Sequence, residues 1–432
     1  MERSYQVNQQ GHLTIGGLDT VKLSQKYGTP LFVYDVNHIR QNARAFVEAF
    51  RAHNVKAQIA YASKAFSSIA MVQVAKQEGL SLDVVSQGEL YTAIQAGFPM
   101  ERIHLHGNNK SKEEIEMAVE QQIGCIVIDN FYEIELLQQV LQEKQSTMDV
   151  LIRVTPGIEA HTHNYILTGH EDSKFGFNVN NHQATEALTT LLKIDRITVK
   201  GVHCHIGSQI FETDGFEMAV QRLYQMINEW KNSFQFETDV LNVGGGFGIR
   251  YTAEDKPLPL HEYVDALIKE ITQQVDHYQL TFPEIWIEPG RSLVGESAVT
   301  LYKIGSIKEI PEVRKYISVD GGMTDNIRPA LYEAKYEAVV ANKANQSPDE
   351  KVAVAGKACE SGDMLIWDID LPKVKNDDIL AVFSTGAYSY SMASHYNRFP
   401  KAAIVFVEDG HDALVVKRET YEDVVQNDLF YE

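Results

Sequence analysis

The stretch Val240-Leu241-Asn242-Val243-Gly244-Gly245-Gly246-Phe247-Gly248 decides how this chain is read. Val240–Val243 is a short apolar run of the kind that forms a buried strand, and it ends in the only glycine cluster of the sequence. Glycines let backbone amides approach an anion with no Cβ in the way. An open doubly wound sheet carries such a fingerprint early, at its first strand. Here six other strand-like runs come before it: Ala57–Tyr61, Leu82–Ser86, Ile103–Gly107, Cys125–Asp129, Val150–Val154 and Val199–His205. Ile285–Glu288 follows. The cluster therefore closes a seventh strand, which is where barrels often bind phosphate.

Working outward, most of these runs precede helix-like segments, such as Ser68–Glu78, Gly88–Ala96, Ser111–Gln121 and Tyr132–Glu143. Ser111 and Glu114 have the spacing of a capping box. Strands alternating with helices predict an α/β fold whose main part is a parallel (β/α)8 barrel. The span from Ala57 to Glu288 is close to the roughly 250 residues typical of such barrels.

From about Ser297 the texture changes to short alternating runs: Val299–Ile304, Tyr316–Val319, Val352–Ala355, Ile379–Phe383, Ala403–Phe406 and Leu414–Lys417. Turns such as Asp320-Gly321-Gly322 and Glu408-Asp409-Gly410 separate them. This predicts a C-terminal, mainly antiparallel β domain. Leu31–Tyr34 is also strand-like and is expected to join it, and Asn342–Glu350 reads as a polar surface loop. The expected division is an N-terminal segment over 1–37, a barrel over 38–296 and the β domain over 297–432.

The 432 residues are 44% hydrophobic and 23% charged, which excludes a disordered chain, a fibre and a coiled coil. A net charge of −20 argues against nucleic acid or an anionic membrane as partner. No window approaches the ~18 apolar residues of a membrane span. Met1–Gly11 has no apolar signal-like run, and the three cysteines, Cys125, Cys204 and Cys359, are no disulfide framework. A cytoplasmic protein is the expectation.

Barrel chemistry sits at the C-terminal ends of strands, and unusual polar residues cluster there. Lys64 follows the first run, Ser86 ends the second, and Asn108 and Asn109 follow the third. Arg153 lies near the end of the fifth, and His205, Gly207 and Ser208 close the sixth. Glu288 and Arg291 close the eighth. Each alone has an ordinary explanation as a polar loop residue; their shared placement does not.

Lysines are most often solvated, but one with low-dielectric neighbours becomes a nucleophilic amine. His203-Cys204-His205 has the composition of a metal cluster. Strand alternation opposes that, because Cys204 points away from both histidines. His205 reads either as a packed core histidine or as a ring stacking on a planar ligand. His161 and His163 fall in a loop stretch and read as solvated. Glu288-Pro289-Gly290-Arg291 reads as a buried ion pair or as a carboxylate facing a heteroaromatic nitrogen, which makes that ring an electron sink. The β domain holds a second set: Arg328, Tyr332, Cys359-Glu360-Ser361-Gly362-Asp363, and Tyr388 after Gly386.

Together these segments resemble the barrel-type (fold type III) pyridoxal phosphate decarboxylases, and among them the diaminopimelate decarboxylases. The matching motifs are Tyr61-Ala62-Ser63-Lys64-Ala65, His205-Ile206-Gly207-Ser208-Gln209, Gly244-Gly245-Gly246-Phe247-Gly248 and Glu288-Pro289-Gly290-Arg291. Asp320-Gly321-Gly322-Met323, Ile327-Arg328-Pro329-Ala330-Leu331-Tyr332, Cys359-Glu360-Ser361-Gly362-Asp363 and Gly386-Ala387-Tyr388 follow in family order.

The resemblance implies an alanine racemase-like barrel that binds pyridoxal 5'-phosphate and removes carbon dioxide from meso-diaminopimelate to give L-lysine. It implies that Lys64 carries the cofactor and that His205 stacks on its ring. Ser208, Gly244, Gly245 and Gly246 cradle its phosphate, Gly290 also contributes to binding the cofactor, and Glu288 pairs with its ring nitrogen. Tyr388 lies near the cofactor and substrate, and Arg291 contributes to both. Arg328 and Tyr332 grip the substrate's far carboxylate, Glu360 its far ammonium, and Cys359 donates a proton. Cys359 and Glu360 are implied to come from the second subunit of a homodimer.

Four other readings compete. Alanine racemases typically place an arginine where Glu288 stands. Ornithine- and arginine-type decarboxylases need no clamp for a far carboxylate, and the ornithine enzymes typically carry Cys-Asp where this chain has Cys359-Glu360. A non-catalytic homologue usually loses the lysine, the glycine cradle or the cysteine, and all are present here. A flavin or nicotinamide barrel lacks support because no Gly-rich fingerprint comes early.

Overall fold

The structure is a computed structural model that describes residues 5–158 and 172–431. His161 and His163 lie outside the described residues. Two compact units are present: Asn42–Ile249 with Lys256–Ser292, and Met1–Gln41 with Arg250–Asp255 and Leu293–Glu432.

The first unit is a closed barrel. Its strands are Ala57–Ala62, Ser81–Val84, Ile103–Leu105, Cys125–Ile128, Met148–Thr155, Ile197–His203, Val240–Asn242 and Glu284–Ile287. Each pairs in parallel with the next, and the eighth pairs with the first. A short strand, Phe177–Asn178, adds in parallel to the fifth.

Several strands end earlier than their apolar runs, because the chain leaves the ladder to form the upper loops. Ser86 illustrates the physical reason: its hydroxyl caps the helix Gln87–Gln95 by accepting the Glu89 N–H, so it starts a helix rather than ending a strand. Ser68 and Asn130 cap the next turns of the barrel in the same way. Ser111 and Glu114 form the expected capping box, each accepting the other's backbone N–H.

Alternation along the strands stacks the interior in layers. Cys125, Val127, Leu151, Val240 and Trp286 form an apolar cluster, and the His104 ring stacks on Trp286 at 4.2 Å and 6°. Two residues further along each strand the side chains become polar: His106, Asp129, Arg153, Asn242 and Glu288. An apolar floor thus carries a buried polar layer.

The second unit holds the mainly antiparallel sheet. Leu31–Asp35 pairs antiparallel with Ala298–Ile310 and parallel with Ala403–Glu408. The 13-residue strand Ala298–Ile310 is shared. Its start pairs with Leu31–Asp35 and Ile379–Phe383, and past a register shift between Ile304 and Ile307 it pairs with Arg314–Val319. Glu350–Ala355 and Met364–Leu371 extend that edge. The hairpin to His411–Val416 turns through Asp409 and Gly410, both at positive φ, as a tight two-residue turn requires.

The short N-terminal strands Gln6–Val7, Leu13–Ile15 and Leu18–Asp19 escaped the sequence pattern, as did Ala338–Val340 and Met364–Leu371. Ala338–Val340 is three residues long, and Met364–Leu371 mixes exposed Trp367 into its apolar run. Asn342–Glu350 is not all loop: its first residues complete a 3-10 turn and Glu350 opens a strand. Leu31, Val33, Val299, Leu301, Ala381, Val405 and Val407 are among the core residues of this unit.

Candidate active site

At the top of the barrel each candidate side chain is delivered by a different strand end. Ala57–Ala62 leads into a 3-10 turn, Ser63–Ala65, which presents Lys64 as the one exposed residue of the run Tyr61–Phe66. The Tyr61 hydroxyl donates to the Phe66 carbonyl at 2.6 Å and so spans that turn. The Lys64 charge acts on Asp83, Glu89 and His205, which places the ammonium over the barrel mouth. Burial pushes the half-buried Glu89 carboxyl up to about 7.

Glu288 lies just past the eighth strand, inside the polar layer. Asn242 Nδ2 donates to its Oε1 at 2.7 Å. His106 Nε2 lies 3.1 Å from Oε1 and His203 Nε2 3.1 Å from Oε2. Burial pushes the Glu288 carboxyl up, but His106 and His203 outweigh it and hold it well below the usual carboxylate range. His203 itself is lowered to about 4, chiefly by burial, and so is neutral.

The glycine loop is packed against the same layer. Asn242 Oδ1 accepts the Gly244 N–H at 2.9 Å, and His205 Nδ1 accepts the Gly245 N–H at 3.1 Å. Burial, then the charges of Lys64 and Arg153, hold His205 well below its ordinary range. The neutral ring therefore carries its proton on Nε2. A Cβ on Gly244, Gly245 or Gly246 would stand 2.5, 2.1 and 2.3 Å from the carbonyl oxygens of Cys204, Glu288 and Gly207. Gly290 is less tightly hemmed, its nearest neighbour being the Ala62 Cβ at 3.0 Å. Arg291 donates to the Ser208 hydroxyl at 2.9 Å, which joins the sixth- and eighth-strand loops.

The barrel therefore brings together His205, Ser208, the three glycines, Glu288 and Arg291. Sequence reasoning missed Asp83, His106 and Asn242 and singled out Asn108 and Asn109 instead. His106 and Asn242 sit in step with His104 and Val240 on inward positions, a signal that the strand period carries. Asn108 contributes a carbonyl to the Asn130 amide, and Asn109 is exposed.

In the second unit, buried Arg328 opens the short helix Arg328–Tyr332. Its Nη1 donates to the Tyr336 hydroxyl at 2.5 Å, and its guanidinium lies 4.6 Å from the Tyr251 ring centre. Tyr388, at a positive φ of 60°, contributes to the electrostatics of Arg328. Tyr332 is half-buried. Cys359 and Glu360 are exposed on a turn, where the Cys359 N–H donates to Asn397 Oδ1 at 2.8 Å and the Glu360 carboxylate accepts the Gly362 N–H at 3.3 Å. Tyr251 and Tyr336 carried no motif and were not among the sequence candidates.

The barrel residues suit pyridoxal phosphate. The glycine backbone leaves room where any side chain would collide. A carboxylate has about four acceptor positions. Asn242 and His203 donate to two of those of Glu288 among the described residues, and the His106 ring lies 3.1 Å from Oε1 as an ion-pair neighbour outside hydrogen-bond geometry, which leaves acceptor capacity for a ring N–H.

A family model described as pyridoxal-dependent decarboxylase, pyridoxal binding domain, matches residues 36–295. A diaminopimelate decarboxylase of Bacillus subtilis is 61% identical over 422 residues, 98% of this chain and 96% of the relative. One of Staphylococcus aureus is 47% identical over 422 residues, 98% of each chain. The crystal structure of diaminopimelate decarboxylase from M. jannaschii matches with a TM-score of 0.93 and 34% identity, covering 99% of this chain and 98% of that one. On fold, barrel residues and likeness, the chain belongs to the pyridoxal-dependent decarboxylase family and, within it, to the diaminopimelate decarboxylases.

Proposed function

We propose that this protein is a carboxy-lyase that converts meso-diaminopimelate to L-lysine and carbon dioxide with pyridoxal phosphate as cofactor, the last step of lysine biosynthesis. The observation that carries the reading is the buried Glu288 anion beside a glycine cradle, in a chain 61% identical to a diaminopimelate decarboxylase.

When bound, the cofactor supplies the sink for the electron pair left behind by carbon dioxide. The chain's own residues bind, orient and move protons. Lys64 would hold the cofactor through its aldehyde, its amine being the group that tethers the cofactor to the chain. Ser208, Gly244, Gly245 and Gly246 receive the phosphate, with Arg291 fixed on Ser208, and Gly290 also contributes to binding the cofactor. Glu288 keeps a proton on the ring nitrogen, and neutral His205 packs against the ring.

Arg291, Arg328 and Tyr332 grip the far carboxylate of the substrate, and Tyr388 contacts both cofactor and substrate. Glu360 pairs with the far ammonium, and Cys359 delivers its thiol proton to the α-carbon. Both lie exposed on one turn of this chain, which supports their serving the site of a second copy in a homodimer. The setting is cytoplasmic, in keeping with three free cysteines. Among the described residues, no helix is long and apolar enough to cross a membrane.

The test is to supply purified protein and cofactor with meso-diaminopimelate, ornithine and arginine in turn and to measure carbon dioxide release. Release from diaminopimelate alone is expected. Release from ornithine only overturns the reading.

A further inference from the structure

One imidazole in the barrel touches two carboxylates. His106 Nε2 lies 3.1 Å from Glu288 Oε1 and 3.8 Å from Asp83 Oδ1, and the three side chains are only 5–7% exposed. They come from the third, eighth and second strand ends, so no local motif links them. Among the described residues, the other groups facing this trio are His203 and Asn242 on Glu288, the charges of Arg153 and Lys64 near Asp83, the carboxyls of Asp129 and Glu89, and His104. His104 is pushed down to about 3 by burial and is neutral.

We propose that His106 is a positioning residue: an imidazolium seated between Asp83 and Glu288 that keeps Glu288 an anion able to hold a proton on the cofactor's ring nitrogen. The proposal deepens the reading of Glu288 as the ring partner and rests on it. Burial alone favours the neutral acid at both Asp83 and Glu288. A neutral acid at Glu288 could not stabilise a cationic ring nitrogen. At Glu288 a positive charge within 3.1 Å reverses that balance; at Asp83, 3.8 Å from the imidazole, burial still outweighs it and the carboxyl stays raised, while Asp83 adds to the pull that keeps the proton on His106.

The competing explanation is that His106 and His203 are two interchangeable neutral donors filling a buried acceptor. The two are not equivalent. His203 contacts one carboxylate and is lowered to about 4. His106 contacts two, and burial, which pushes it down, is outweighed by Asp83 and Glu288, so that it is raised. A neutral N–H donor can replace His203, but it cannot replace His106.

Glutamine keeps an N–H donor and removes the charge. In His106→Gln the acidic limb of the kcat/KM profile is expected to move to higher pH by about one unit or more, tenfold in proton affinity per unit. In His203→Gln the limb is expected to stay in place. Equal movement in both variants points to packing and overturns the proposal. A second readout needs no turnover. In cofactor-free protein with isotope-labelled histidines, nuclear magnetic resonance should show one buried imidazole that keeps both ring protons to a higher pH than an ordinary histidine does. That signal should be missing in His106→Gln.

A His106 that loses its proton at or below the ordinary imidazole range overturns the proposal. If His106→Gln does not fold, Asp83→Asn serves instead, because it should lower the pH at which this imidazole loses its proton. Glu288→Gln separates the two readings. Unchanged cofactor absorption and turnover there sink the ring-partner role itself. A crippled Glu288→Gln beside an unmoved limb in His106→Gln sinks the role of His106 alone.

Discussion

Asn242 ties the glycine cradle to the buried carboxylate: its amide donates to Glu288 at 2.7 Å, and its carbonyl oxygen accepts the Gly244 N–H at 2.9 Å. Phosphate end and ring end of the proposed cofactor site are thus set by one side chain. Asn242→Ala leaves a buried N–H and a carboxylate oxygen short of partners, at a cost of about 1–3 kcal/mol. The expected outcome is a lower melting temperature and weaker pyridoxal phosphate binding together, read by thermal denaturation and by cofactor titration.

Lys64 and Cys359 are expected to fail in different ways. Lys64→Ala should abolish the borohydride-reducible absorption of the bound cofactor and lower turnover by at least about 100-fold. Cys359→Ala should keep that absorption and lose turnover. If Cys359 serves the second subunit, mixing the two inactive variants through a dissociation and reassociation step restores part of the activity. No recovery in verified mixed dimers counts against shared sites.

Gly245→Ala sets a Cβ 2.1 Å from the Glu288 carbonyl oxygen, a backbone atom that cannot step aside. Overpacking of this kind costs about 1–3 kcal/mol, and the melting temperature and cofactor affinity should both fall. Gly88→Ala is the control. Its Cβ meets nothing nearer than the Ser86 hydroxyl at 3.7 Å, within the helix Gln87–Gln95. It is expected to be neutral or to stabilise by about 0.5–1 kcal/mol.

The hydroxyl of Tyr336 holds the Arg328 guanidinium at 2.5 Å. Tyr336→Phe removes that acceptor and loosens the proposed grip on the far carboxylate. The KM for meso-diaminopimelate should rise about tenfold, the worth of one hydrogen bond to a charged group, with kcat nearly unchanged. Steady-state kinetics check this, and a fall in kcat at unchanged KM contradicts it.

Asp325 is 5% exposed, and burial pushes its carboxyl up to about 7 while it accepts the Gly322 N–H at 3.0 Å. A raised carboxylate means that the folded state holds the proton more tightly than the unfolded state. Its stabilising contribution is complete below about pH 4 and is lost as pH rises through about 7. Asp325→Asn keeps the acceptor and cannot ionise. Relative to the wild type it should gain stability as pH rises through that window, by roughly 1 kcal/mol per unit, and unfolding curves taken across the window measure it. Equal pH dependence of the two proteins contradicts the assignment.

The sequence by itself determined the order of elements and the family. Apolar runs with helices between them are local, and Ser111 with Glu114 or Asp409 with Gly410 act within a few residues of each other. Lys64, the three glycines, Glu288 and the Cys359 turn were legible because each is a contiguous motif. Asp83, His106, Asn242 and Tyr251 were not, because each acquires its meaning from a partner far along the chain, and Tyr336 was not, because its partner Arg328 lies eight residues away across a helix and a turn rather than in a contiguous motif. Strand alternation aims His106, Asn242 and Glu288 inward; pairing of the seventh and eighth strands brings Asn242 to Glu288, and closure of the barrel, pairing the eighth strand with the first, brings His106 to within 3.1 Å of it. The protonation states follow the same division. Composition gives a net charge of −20, whereas burial and two imidazoles decide that Glu288 is an anion and that His203 is neutral. Those are properties of a desolvated neighbourhood, which exists only once the chain has folded.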